Sequence, residues 1–229
     1  MTYLGSLLFL LMFILLGTIT GFLYGSSRRS ANQAVKSLFA IFLFFSCYAL
    51  ILAVFSIIGQ NKPYTLILGY NFAVLFAFLA LYFITEIPTF SENQLIKKYS
   101  RYISNFIILI GIIVIAIQLI DMRLPITGEN GVILWNQNPV AAWLTGLTIL
   151  GYMLAWAYFT CQNMKVIKNK QQRLKLYALG ADAISVGFSA LIYFPSQNEW
   201  QSLASFLLII PAYIFTIYSL AQSRKAKAA

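Results

Sequence analysis

The chain has 229 residues, 60% of them hydrophobic and only 10% charged, with a mean hydropathy of +0.79. A soluble domain carries charge on about a quarter of its residues, so this composition excludes an ordinary soluble fold and points to a membrane. The net charge of +10 is scattered through short connections between apolar runs, so it reads as a topology signal and not as a nucleic-acid-binding surface.

About 20 apolar residues cross the hydrocarbon, and seven such runs follow one another. The first covers residues 3–24. A signal peptide would carry positive charge before the run and small residues at a cleavage site after it. Here Arg28 and Arg29 come after it and no A-x-A site appears, so we expect a retained helix. Spans two and three cover 37–58 and 64–85, joined by a turn from Gly59 to Pro63. A polar connection, Glu86 to Ser100, leads to span four at 102–120.

The longest outer connection, DMRLPITGENGVILWNQNP, follows span four. Its Asn130-Gly131 pair is a strong hairpin signal, so we expect a small β-hairpin over the membrane mouth, with Trp135 near the interface. Spans five, six and seven cover 139–162, 174–194 and 201–221, and a short basic tail ends the sequence.

The basic residues orient this all-α, single-domain, seven-span bundle. Arg28, Arg29 and Lys36 lie between spans one and two, and Lys97, Lys98 and Arg101 between three and four. Lys165, Lys168, Lys170, Arg173 and Lys175 lie in the loop between five and six, and Arg224, Lys225 and Lys227 follow seven. Fourteen of the sixteen basic residues therefore share one side, with Lys62 and Arg123 opposite. The positive-inside rule puts the fourteen in the cytoplasm, the N-terminus outside and the C-terminus inside. That basic face would attract anionic lipids, and the 165–175 loop with the tail is where a protein partner would dock.

Polar groups inside the spans are the candidate site. Ala178, Asp182, Ser185 and Ser189 share one face of span six, which should point into the bundle. No span offers a Lys, Arg or His deep enough to pair with Asp182. The charged form is costly in hydrocarbon, so Asp182 keeps its proton or finds hydroxyl, amide or water partners. A proton relay, a ligand contact and a switch are its functional readings. A plain interhelical hydrogen bond, or contact with cytoplasmic water, is the packing alternative. Asn71, Gln118 and Tyr152 in the outer half would line an outward-facing pocket or bond between helices, as would Ser46 and Tyr70. Gly17, Gly21 and Gly25 repeat every four residues, which suits close helix packing inside the bundle or a dimer face. Pro211 breaks one backbone bond in span seven and is a candidate hinge.

With no histidine and two separated cysteines, Cys47 and Cys161, the usual metal, haem and Ser-His or Cys-His chemistries lack their residues. One intramembrane acid does not make a carboxylate pair, and no phosphate-binding glycine loop occurs. We therefore expect neither an enzyme nor a cofactor.

Seven spans with this orientation is also the layout of microbial rhodopsins, but span seven has no lysine to hold retinal. Sugar transporters of the SWEET type share the size, yet a matching pair of prolines in two three-helix halves is missing. Gln172-Arg173-Leu174 through Leu179-Gly180, opening span six after a basic loop, resembles the R-x-x-x-x-x-x-G start of a span in the seven-helix N-terminal sensor region of bacterial histidine kinases. The segment GENGVILWNQNP is similar in placement to a loop of that region. The resemblance implies a membrane sensor; with no output domain after Ala229, signalling would pass through a separate partner. A small transporter or channel using the intramembrane acid is the alternative expectation.

Overall fold

The computed structural model describes residues 4–30, 33–59, 62–84, 94–128, 130–165 and 167–228. Gln60, Asn61, the first part of the Glu86 to Ser100 connection (85–93) and Glu129 lie outside the described residues. So do the side chains of Arg29, Lys97, Lys98, Arg101, Arg224, Lys225 and Lys227.

Among the described residues, seven helices follow in chain order: α1 (Leu4–Arg29), α2 (Gln33–Ile58), α3 (Pro63–Ile84), α4 (Gln94–Ile120), α5 (Pro139–Met164), α6 (Lys170–Tyr193) and α7 (Glu199–Ala228). All seven are long and apolar enough to cross a membrane, and the chain is a multi-pass membrane protein. The surface agrees with that solvent. Leu7, Leu11 and Ile14 of α1, Phe106 and Ile112 of α4, and Leu207 and Ile214 of α7 all point outward, an apolar belt that water would not tolerate.

Local chemistry sets where these helices begin. The Asn138 carboxamide accepts from the Val140 and Ala141 amides, with Pro139 at the first helical position of α5. Asn169 caps α6 in the same way, through Gln171 and Gln172. The Asn198 side chain takes the Gln201 amide at the start of α7. The Asn169 cap changes one expectation. Because α6 begins at Lys170, the stretch 165–175 is only partly a loop, and Lys170, Arg173 and Lys175 ride on the first two turns of the helix. Similarly, α4 starts at Gln94 and α7 runs on to Ala228, so polar ends read as connection and tail are helical. Lys, Arg and Gln are good helix formers, and nothing breaks the backbone there.

The helices form a ring in sequence order. Each packs on its chain neighbours and α7 closes back on α1, while α4 packs least tightly. Leu16, Ile41, Leu52, Val74, Phe78 and Tyr213 fill the centre. Glycines let α5 and α6 approach closely. A Cβ at Gly146 would lie 3.3 Å from the Ala190 carbonyl oxygen, and one at Gly187 3.1 Å from Met153 Cβ. The α1 repeat behaves otherwise. Only Gly17 meets a neighbour, Ser46 of α2, whereas Gly21 and Gly25 open onto empty space. Close packing inside the bundle thus holds at Gly17 and not along the rest of the glycine face. Pro211 is exposed on the outward side of an unbroken α7.

Between α4 and α5, two short strands pair antiparallel: β1 (Ile126–Thr127) and β2 (Ile133–Leu134), with Ile126 opposite Leu134 and Thr127 opposite Ile133. The Gly131 amide donates to the Gly128 carbonyl, and Gly131 takes φ 72°, a left-handed value that glycine adopts without strain. The described part of the turn therefore closes at Gly131, beside Asn130.

Candidate functional site

Two buried arrangements stand out, one under the hairpin and one midway along α6. The first is built by the segment that follows β1. Val132, Ile133 and Trp135 are all buried, so Trp135 is a plug inside the bundle and not an interfacial side chain, as its sequence position suggested. Its ring lies 4.9 Å from that of Tyr70 on α3, and its indole N–H donates to the Tyr193 hydroxyl on α6. Tyr193 and Phe206 pack edge-on around Phe9 of α1, at 6.1 and 5.2 Å.

Polar bonds hold this plug from every side. The backbone and side-chain amides of Asn130 both donate to the Glu199 carboxylate at the start of α7, at 3.2 and 2.5 Å. Gln118 of α4 donates to the Gln137 carboxamide oxygen at 3.2 Å, and Gln137 in turn donates to the Phe194 carbonyl at 3.1 Å. Asp121 accepts from Asn138 at 2.7 Å and pairs with Arg123 at 3.1 Å. Those two donors, Asn138 first and Arg123 after it, hold the Asp121 carboxyl below its ordinary range. Beneath the plug is a cavity of about 50 Å³, lined chiefly by aromatic and aliphatic groups, with Tyr48, Ser189, Tyr193, Ser205 and Tyr213 as its hydroxyl-bearing members.

The second arrangement is Asp182, 2% exposed on α6. The Thr216 hydroxyl of α7 donates to its Oδ2 at 2.6 Å, while Oδ1 has no partner among the described residues. The other buried threonines, Thr20, Thr145 and Thr160, each bond back to the carbonyl four residues earlier in their own helix. Thr216 alone among them crosses between helices. A void of about 10 Å³ adjoins Asp182, walled by Phe42, Phe45, Trp156 and Tyr213, and holds at most a single water.

The remaining candidates separate. Ser189 is buried and faces the cavity, and Ser185 on the same helix is only partly buried. Asn71 is buried but its amide donates to Ile67 of its own helix at 3.0 Å, leaving its carbonyl oxygen unpaired. Gln118 joins Tyr70 and Trp135 around a cleft of about 20 Å³, to which neither Asn71 nor Tyr152 contributes. The proposed grouping of Asn71, Gln118 and Tyr152 is therefore not assembled. Lys165, Lys168, Lys170 and Arg173 are exposed at the end away from the hairpin, and Lys175 is partly buried. Sequence reasoning missed Thr216, Tyr193 and Glu199, whose partners lie 34, 58 and 69 residues away, and no local pattern marks them.

No protein-family model, curated protein or solved structure matches the chain. Its function is argued from these two arrangements.

Proposed function

We propose that the chain is a non-enzymatic sensor or receptor-like membrane subunit, with the hairpin outside and the basic end in the cytoplasm. The observation that carries this reading is the plug. One short segment outside the spans reaches α3 through Tyr70, α4 through Gln118, α6 through Tyr193 and Phe194, and α7 through Glu199. A stimulus that lifts the segment must break bonds to α6 and α7, the two helices that Asp182 and Thr216 tie together further along. α6 begins at the basic end, so a shift of that helix would reach Lys170 and Arg173, where a separate protein partner would read it. The likeness of the Gln172 to Gly180 stretch to histidine-kinase sensor regions supports the same reading. Anionic lipids would gather at this face too, at about 1 kcal/mol per charge near the surface.

The unpaired Oδ1 of Asp182 is the one feature that favours a small transporter or channel instead. One measurement tests the orientation, and a second separates the two readings. Reporter fusions at Ala229 should be active in the cytoplasm and at Met1 outside; the reverse would overturn the orientation. Purification from native membranes should yield a stoichiometric partner that is lost when Lys165, Lys168, Lys170 and Arg173 are changed to glutamine. A chain that purifies alone and moves a solute across liposomes would overturn the sensor.

A further inference from the structure

A second concavity lies beside the plug and shares Gln137 and Phe194 with it, while Asp182 has no part in it. It is a cleft of about 350 Å³ between β1 and β2, the first turns of α5 and the connection from α6 to α7. That volume falls in the range, about 300–1,000 Å³, of sites that enclose small molecules. Its walls are of two kinds. Ile126 and Trp143, both half exposed although they line an indentation, supply most of the apolar and aromatic surface, and the otherwise buried Phe194 adds an edge. Arg123, Asn136 and Gln197 supply the polar side.

The charge lining this cleft among the described residues is one cation, whose carboxylate partner sits in the adjoining cleft that the same arginine also lines. Arg123 is a cation at its rim, and no carboxylate lines it among the described residues. Asp121, the partner of Arg123, faces the smaller neighbouring cleft around Tyr70 and Gln118. Both the Nε and one terminal nitrogen of Arg123 lie 3.1 Å from the same oxygen, Asp121 Oδ2. The other terminal nitrogen keeps its two donors. The guanidinium is thus held in place on one edge and open on the other, the geometry with which arginine takes carboxylates and phosphates. Asn136 is fixed as well: it sits at φ 45°, and its amide donates to the Leu124 carbonyl at 3.1 Å, which leaves its carboxamide oxygen free to accept.

We infer that this cleft binds a small amphipathic anion, with a carboxylate or phosphate on Arg123 and a flat apolar body against Trp143 and Phe194. The inference deepens the sensor reading by naming a ligand class. It is tested on the purified chain, so it can fail while the sensor reading stands, and the reverse.

The full chain in phosphatidylcholine nanodiscs is titrated with 2-naphthoate and, separately, with the uncharged naphthalene-2-carboxamide. Naphthoate should bind saturably with one site per chain, and the amide about tenfold more weakly, as expected for loss of one charge-assisted bond. Arg123→Gln should weaken naphthoate about tenfold and leave the amide unchanged, while Arg123→Lys keeps most of the charge effect. Trp143→Ala should weaken both ligands. Hairpin integrity in each variant is checked by the melting profile. Repeating the titration in phosphatidylglycerol nanodiscs identifies the source of the anion. Suppressed naphthoate binding there makes a lipid headgroup the occupant, and unchanged binding makes it a soluble molecule. Absence of saturable binding in phosphatidylcholine, equal affinity for acid and amide, or wild-type binding by both Arg123→Gln and Trp143→Ala would overturn the inference.

Discussion

Replacing Trp135 by alanine tests the plug directly. The side chain is 5% exposed, lies 4.9 Å from the Tyr70 ring and donates to the Tyr193 hydroxyl. Truncating a buried tryptophan costs about 3–5 kcal/mol through lost contacts and the cavity that remains. Removing the indole N–H also strands the buried Tyr193 hydroxyl, which adds up to roughly 1–3 kcal/mol unless water enters to satisfy it. Trp135→Phe comes closer to isolating the donor, because it keeps a ring against Tyr70 and gives up only part of the indole's volume; we expect it to cost about 1–3 kcal/mol. Tyr193→Phe removes the acceptor and should cost a similar amount. The double variant should cost less than the sum by about 1 kcal/mol, the signature of one shared bond. Denaturant titration of the purified protein in mixed micelles gives the stabilities, and amide hydrogen exchange across residues 126–134 reports whether the hairpin has lifted. A Trp135→Ala protein within about 1 kcal/mol of wild type, with unchanged exchange, would refute the plug and remove the observation on which the sensor reading rests.

Asp182→Asn keeps shape and an acceptor for Thr216, so it should change stability at neutral pH little, whereas Asp182→Leu should cost on the order of 1–3 kcal/mol. Because Thr216→Val removes the stranded hydroxyl, adding it to Asp182→Leu should recover part of that loss in the same titration; no recovery would mean that the 2.6 Å bond is not made. Gly187→Leu should destabilise by about 1–3 kcal/mol, since even a Cβ meets Leu150 and Met153 at 3.0 and 3.1 Å. Gly21→Leu should be close to neutral in a monomer, its Cβ opening onto empty space, and a marked loss would reveal a dimer along that face. The Asp121 carboxyl is held below its usual range by Asn138 and Arg123, so what it contributes is full above its unfolded pKa of about 3.9 and is lost as pH falls through the lower folded value. Melting from pH 6 down to about 3 should thus show a steeper loss of stability below pH ~4 for wild type than for Asp121→Asn, and parallel curves would contradict the pairing.

How much of this was legible in advance depended on how local each cause is. Span number and approximate position followed from runs of apolar residues, because the cost of crossing hydrocarbon is a sum along the chain. The Asn138 and Asn169 caps are local as well, and they set the starts of α5 and α6 to the residue. Hydropathy missed the helical ends at Lys170 and Gln94, since it measures transfer to lipid and not helix formation in polar sequence. The glycine repeat misled for a related reason: spacing every four residues places three glycines on one face, but only the ring decides what faces them.

By itself, then, the sequence determined the class of molecule, its seven apolar crossings, and the unequal share of basic residues between its two sides. Tertiary structure decided which side of each crossing is inside. A helix that is apolar all round carries little amphipathic signal, so rotation about its axis is set by packing alone. It was that rotation that brought Thr216 to Asp182, turned Asn71 back on its own helix and left Gly21 facing out. Trp135 shows the same limit outside the spans: a tryptophan beside a turn is equally at home at an interface or in a core. Only the ring of helices, with Tyr70 and Tyr193 both reaching the indole, offered the pocket that buries it.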